Sequence, residues 1–312
     1  MIGDKIKIGP AGWVYPDWEG IVYPSKKAGN FSGLSFIARY FSVVEINTSF
    51  YYPLKRKTTE KWVQQVEQNG KFRFTAKLWQ KFTHTEEPLR PLVEHFKEGL
   101  KPLLDANKLG ALLVQFPWRF KNEAKCRSRL KEILDSFIEL PLVVEFRHKS
   151  WNKPEILKVL TDYNAAFANI DQPVIGNSIG PTCILTSNIG YIRLHGRNYD
   201  GWFEEKSNRD VRYNYLYSRS ELDQWISKIR QMEAADTLYI IFNNHFRGKA
   251  IANAFQLMTG LLNEPVKIPD TLARAFPELK SVARIEHVGD GSFNLKGVQG
   301  ELFEDLHEFN KL

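Results

Sequence analysis

Short β-branched or aromatic runs alternate along this chain with longer stretches whose apolar residues recur at helical spacing. Eight runs read as strands: Lys5–Gly9, Val43–Ile46, Phe72–Ala76, Ala111–Gln115, Leu142–Glu145, Ala165–Asn169, Tyr191–Leu194 and Leu238–Phe242. The stretches between them read mostly as helices. Leu222, Trp225, Ile226 and Ile229 fall at i, i+3, i+4 and i+7, behind Ser220 as N-cap with Asp223 three residues on. Ala250, Ile251, Ala254, Phe255, Met258 and Leu261 make a second apolar stripe. Pro91 suits the first turn of a third helix, which Pro102 should kink or end. Phe36–Phe41 and Trp62–Val66 fit shorter helices, and a last one is predicted around Asp270–Phe276. The connection Gln172–Asn188 is the least helical.

Strands alternating with helices predict parallel βαβ units, and eight units in about 260 residues is the size of a (β/α)8 TIM-type barrel. A doubly wound open sheet is the competing α/β arrangement. It would be favoured by a GxGxxG turn after the first strand, and none is present. The expected organisation is a barrel over residues 1–262 with a C-terminal extension over 263–312, packed on the barrel or partly exposed.

Composition narrows the class. Hydrophobic residues make up 43% and charged ones 25% of the 312 residues, enough for a sizeable core and unlike a disordered or collagen-like chain. Cys126 and Cys183 are far apart and form no CxxC pair, so they read as reduced core thiols. The segment MIGDKIKIGPAGW lacks the apolar core of a signal peptide, and no apolar run is long enough to span a bilayer. A cytoplasmic protein without membrane contact is expected. The net charge of +7 is uneven: Glu301–Leu312 holds four acids and one base, which leaves +10 on residues 1–300. A basic body favours anionic partners without choosing among them.

In a barrel, chemistry gathers where strands run into the loops that follow them. Those positions are unusually polar here. The first loop carries Trp13, Tyr15 and Trp18. The second strand runs into EINTSFYY, with Glu45, Asn47 and Tyr51. The third ends in Lys77, with His84 further on, and the fourth ends at Gln115. The fifth ends in EFRHKSW, with Glu145 and Arg147. The sixth ends near Asp171. The seventh carries Arg193 and His195 in RLHG, and the eighth runs into FNNH, with Asn243, Asn244 and His245.

The segments GPAGWVYPDW, VEINTSFYY, LVVEFRHKSW, YIRLHGR and FNNHFRGKAIANA resemble the signature segments of the YecE-like family, a widespread domain of unknown function. The resemblance runs from about Ile6 to Leu262 and implies a TIM-type barrel. It implies no reaction. Pro10-Ala11 departs from the small hydroxyl residues more usual before Gly-Trp in that family.

Residue chemistry supplies the functional expectations. Glu45 and Glu145 end mainly apolar strands, where a carboxylate is costly unless paired or used. They read as general acid and base, or as partners of Arg147 and Arg193. Lys77, Arg147 and Arg193 put three cations around one mouth, which points to a phosphate or carboxylate ligand. His195 reads as an assisting acid/base, since an unperturbed imidazole titrates near ~6.5. Trp13, Tyr15, Asn47, Tyr51, Gln115, Asp171, Asn243 and Asn244 complete the expected substrate-binding set, the asparagines by hydrogen bonding. His84, His195 and His245 with the three acids Glu45, Glu145 and Asp171 could house a divalent metal. However, no HxH or HExxH spacing is present and the neighbouring cations oppose it, so no cofactor is expected. The aromatic first, second and seventh loops suit sugars or unpaired bases.

Together these features favour metal-independent acid/base hydrolysis of a phosphate-containing substrate, a nucleic acid (DNA or RNA) or a nucleotide. A carbohydrate-active or other small-molecule enzyme using the paired carboxylates is the second reading, and a non-catalytic binding module the third. Near the end of the chain, Gln299-Gly300-Glu301-Leu302-Phe303 resembles the QxxLF pattern of peptides that bind bacterial sliding clamps. The competing expectation is a packed helix over Leu302–Phe309.

Overall fold

The computed structural model describes residues 5–27, 29–202 and 209–288. Among these, the eight expected strands form one all-parallel sheet: β1 Ile6–Pro10, β2 Val43–Ile46, β3 Arg73–Lys77, β4 Leu109–Gln115, β5 Leu142–Glu145, β6 Ala166–Asp171, β7 Ile189–Leu194 and β8 Thr237–Phe242. From β2 to β8 each strand pairs with the next in the chain, and β8 pairs back onto β1 in register Ile6–Leu238 to Pro10–Phe242. The β1–β2 seam is closed at its top, where the Gly12 N–H donates to the Glu45 carbonyl at 2.9 Å. Lower in the seam the backbones nearly touch. A Cβ on Gly9 would lie 1.8 Å from the Val43 carbonyl oxygen, so only glycine fits. The fold is therefore the (β/α)8 barrel that the alternating pattern predicts.

Helical segments intervene between most successive strands and cover the outside of the sheet. The helix Arg219–Gln231 turns Leu222, Trp225, Ile226 and Ile229 inward, as their spacing requires. It starts two residues earlier than the sequence suggested. Ser218, not Ser220, is the cap, because Glu221 sits at the position that returns a hydrogen bond to the cap and completes a capping box. Pro91 lies in the first turn of the helix Arg90–Asp105, but Pro102 does not end it, since the helix runs on to Asp105. Pro102 lies in the last turns, and the carbonyl it leaves without a partner belongs to exposed Glu98, within reach of water. The shorter predicted helices extend further, to Gly33–Tyr40 and Arg56–Gln65. The connection from β6 to β7 has no helix, as expected. It is laced to the fifth loop instead, through Lys149 N–H to the Asn177 carbonyl (2.8 Å) and Ile179 N–H to the Arg147 carbonyl (2.9 Å).

Past the last barrel helix, Lys249–Leu262, two short parallel strands, β9 Val266–Pro269 and β10 Ala283–Glu286, flank a helix Asp270–Ala275. Tyr40 donates to Glu286 at 2.9 Å and Thr271 to the Val22 carbonyl at 3.2 Å, so this segment packs on the first helix and first loop. The clamp-like pentapeptide lies outside the described residues.

Candidate functional site

Period-two geometry builds the site. Successive side chains of a strand point to opposite faces, so Tyr191, Arg193 and His195 of β7 and its first following residues share the barrel interior. The same rule aligns Glu45 with Asn47, Thr75 with Lys77, and Glu145 with Arg147. Arg193 is the hub and is fully buried, as are Glu45 and Glu145. Its Nε and Nη2 donate to Glu45 Oε2 and Oε1 at 3.0 and 2.7 Å, a two-pronged bond. Its Nη1 donates to Glu145 Oε2 and, at 3.3 Å, to Gln115 Oε1. Tyr191 supports Glu45 from below, donating at 3.2 Å and also reaching the Thr75 hydroxyl at 3.0 Å.

Two further cations meet this core. Arg147 Nη2 lies 2.5 Å from Glu145 Oε1, and Arg147 Nη1 donates to Gln172 Oε1. Lys77 Nζ is 3.7 Å from Glu45 Oε1 and 5.7 Å from the Phe50 ring centroid. Three cations thus face two carboxylates. Their side chains are 12% (Lys77), 13% (Arg147) and 0% (Arg193) exposed. The surplus positive charge is nearly all out of water.

That setting shifts the titrating groups. Burial pushes the Lys77 ammonium down to about 8, helped by Arg193 and opposed by Glu45 and Glu145. Burial raises the Glu145 carboxyl, but Arg147 and Arg193 outweigh it and hold it below the usual range. Burial, then Arg147, Arg193 and Lys77, drive His195 well below the ordinary imidazole value, so it is neutral at pH 7. His195 Nε2 lies 3.4 Å from Arg193 Nη1, and its Nδ1 lies 3.0 Å from the Asn243 amide.

The remaining residues of the expected set divide. Gln115 and Asn243 join the cluster through Arg193 and His195. Asp171 does not. Its carboxylate takes two bonds from Arg197 (2.8 and 2.7 Å) and one from Trp225 Nε1 (2.6 Å), which ties β6 and β7 to the helix Arg219–Gln231. Asn244 donates to the Tyr215 carbonyl and to Asn253, both at 2.9 Å, and its Oδ1 is buried without a hydrogen-bond partner. Asn47 Oδ1 is likewise buried and unpartnered. Trp13 packs edge-on against Trp62 at 5.1 Å, in the layer between sheet and helices. Tyr15 stacks on His245 at 4.4 Å, and Tyr51 is exposed on the second loop. Among the described residues no three His, Cys, Asp or Glu side chains converge as a metal-ligand set.

Tyr191, Thr75, Gln172 and Arg197 take part without having been singled out from sequence. The alternation Tyr-x-Arg-x-His over 191–195 carried the signal for Tyr191. The partners of Asp171 come from a loop and a helix and had none.

The match to known proteins covers most of the chain. A family model described as a protein of unknown function, DUF72, matches residues 7–278. The UPF0759 protein YunF of Bacillus subtilis (strain 168) is 30% identical over 269 residues, which is 81% of this chain and 93% of that protein. The solved structure of a DUF72 family protein from Thermotoga maritima is 29% identical, covers 82% of this chain and 99% of its own, and superposes with a TM-score of 0.72. One from Enterococcus faecalis V583 is 27% identical, covers 83% and 95%, and gives a TM-score of 0.72. No helix among the described residues is long and apolar enough to cross a membrane.

Proposed function

Because the chain belongs to the DUF72 family, whose description names no reaction, we propose a function from the barrel mouth alone: binding and hydrolysis of a phosphate ester. One observation carries this reading. Three cations and two carboxylates share a nearly dry site, which leaves one positive charge that a bound anion would neutralise.

The ester phosphate sits against Lys77 Nζ and the Arg147 guanidinium, the two cations with exposed surface. Arg193, fully buried and already donating to Glu45, Glu145 and Gln115, stays beneath and holds the carboxylates in place. Glu145, kept ionised, takes a proton from a water as its oxygen bonds to phosphorus. Lys77, which titrates near pH 8, gives a proton to the leaving ester oxygen as the P–O bond breaks. Glu45 acts through Arg193 rather than on the substrate. His195 is a neutral hydrogen-bonding group, not an acid.

The paired-carboxylate glycosidase reading has less support. Such a pair works on a bond lying between its two members, and here Arg193 bonds both.

The test is calorimetric titration with inorganic phosphate and hydrolysis of bis(p-nitrophenyl) phosphate. Phosphate should bind the wild type, and Arg147→Gln should weaken it about tenfold, a ~1.4 kcal/mol loss expected for one charge-assisted contact. Glu145→Gln should abolish hydrolysis while phosphate binding persists. Equal phosphate affinity in wild type and Arg147→Gln would sink the proposal.

A further inference from the structure

Among the described residues, the floor of the mouth is reached by solvent from the side of β3, β4 and β5. Toward β6, β7 and β8, Asp171, Arg193, His195, Asn244 and His245 are all but sealed from solvent. Toward β3, β4 and β5, Lys77, Gln115 and Arg147 keep exposed surface. The fourth and fifth loops flank this opening, and their charge is one-sided. Arg119, Lys121, Lys149 and Lys153 are exposed there, against the single acid Glu123. None of the four has a carboxylate partner among the described residues.

The same loops present aromatic surface. Trp118 is 45% exposed, with Lys121 Nζ 5.9 Å from its ring centroid. Tyr51 and Tyr52 are exposed on the second loop, 44% and 57%. The two sets are connected. Phe50 packs edge-on against His84 at 5.2 Å, and Arg119 donates to the His84 carbonyl at 3.1 Å. The residues flanking Trp118 are held by a ring stack. Phe116 stacks on Phe120 at 3.9 Å, Phe120 on Trp151 at 5.0 Å, and Trp151 on Phe146 at 4.6 Å, all within 8° of parallel. This four-ring stack clamps the fourth loop to the fifth. His148, 7% exposed and edge-on to Trp118 at 5.2 Å, keeps its Nε2 without a hydrogen-bond partner.

We propose that the fourth and fifth loops bind single-stranded nucleic acid, with a base stacked on Trp118, the backbone along Arg119, Lys121 and Lys149, and one phosphate in the mouth. The proposal rests on the reading of the mouth as a phosphate site and names the polymer that feeds it. Cations without carboxylate partners can track a phosphate backbone, and exposed aromatic faces stack bases that are free of a duplex. A rigid platform loses little entropy on binding. A free nucleotide would leave the outer cations and Trp118 unused.

The test is fluorescence anisotropy with a labelled oligo-dT of twenty nucleotides between 50 and 200 mM salt. The wild type should bind it more tightly than a duplex of equal length. Trp118→Ala should weaken binding at least about fivefold with an unchanged salt slope, as expected from the loss of one stacked base. The triple variant Arg119→Gln/Lys121→Gln/Lys149→Gln should flatten the slope by about 2, at ~0.7 per contact. No binding at 50 mM salt, preference for the duplex, or an unchanged Trp118→Ala would overturn it. So would polyglutamate competing as well as the oligonucleotide, which marks a surface for acidic proteins. Arg147→Gln separates the two proposals. If it leaves oligonucleotide affinity and salt slope intact while Trp118→Ala does not, the surface stands and the mouth reading falls. If inorganic phosphate binds the mouth but the oligonucleotide does not bind, the surface reading falls alone.

Discussion

Replacing Lys77 with methionine should make the protein more stable and, at the same time, a poorer phosphate binder. Lys77 carries the one surplus charge of the cluster that can be shed, because the guanidinium groups stay protonated. Its value falls from 10.5 to about 8 on folding. At pH 7 the folded state therefore keeps the ammonium at a cost of about 3 kcal/mol, at ~1.4 kcal/mol per unit. Methionine fills similar space without charge, so Lys77→Met should gain most of that amount. The pH dependence gives the reasoning a sign. Between about 8 and 10.5 the unfolded chain holds a proton on Lys77 that the folded chain has released. Wild-type stability therefore rises relative to the variant as pH rises through that window, and the gap should close to about 1.4 kcal/mol by roughly pH 9.5. Urea unfolding of both proteins at pH 7 and 9.5, followed by tryptophan fluorescence, reads the difference, in which other titrations cancel. A variant less stable than wild type at pH 7, or a gap that does not change with pH, refutes the argument.

Arg193→Met should lose about 3–5 kcal/mol at pH 7, because Glu45 and Glu145 remain buried without their shared partner. The loss should shrink as pH falls from the ordinary carboxylate value through the depressed one, since wild type then also loses the contribution of Glu145; urea midpoints at about pH 7 and 3 check this. Gly9→Ala should prevent soluble folding or cost more than ~3 kcal/mol, since its Cβ meets the Val43 carbonyl; circular dichroism of the purified variant decides. Ser218→Ala removes the capping box and should cost ~1 kcal/mol, measured by the same unfolding titration.

The barrel was legible because its signals are local. Eight apolar runs and the stripes between them each follow from the geometry of one strand or one helix, and the order of alternation leaves few topologies for a parallel sheet. The polar ends of β2, β3, β5 and β7 were legible for the same reason. A charged residue at the end of an apolar strand stands out in a chain of letters, and a barrel brings strand ends to one place. That is why Glu45, Lys77, Glu145, Arg147 and Arg193 could be named together.

Pairing of Glu45 and Glu145 with Arg147 and Arg193 was legible as one of two readings, but not which cation would be used up by it. Arg193 was expected to face a ligand, yet the closed barrel places it between two carboxylates, so the ligand-facing cations are Lys77 and Arg147. Asp171 was expected at the same mouth, but Arg197 and Trp225 reach it from the seventh loop and a helix. Trp13, next to an apparent site motif, turns outward to Trp62. His195 was expected to titrate near neutrality, and burial among three cations keeps it neutral. The amino-acid order alone determined which residues sit at strand ends, because that depends on neighbours in the chain. Only the tertiary structure decided which charges cancel and which one is left over, because burial and distance depend on residues far apart in sequence.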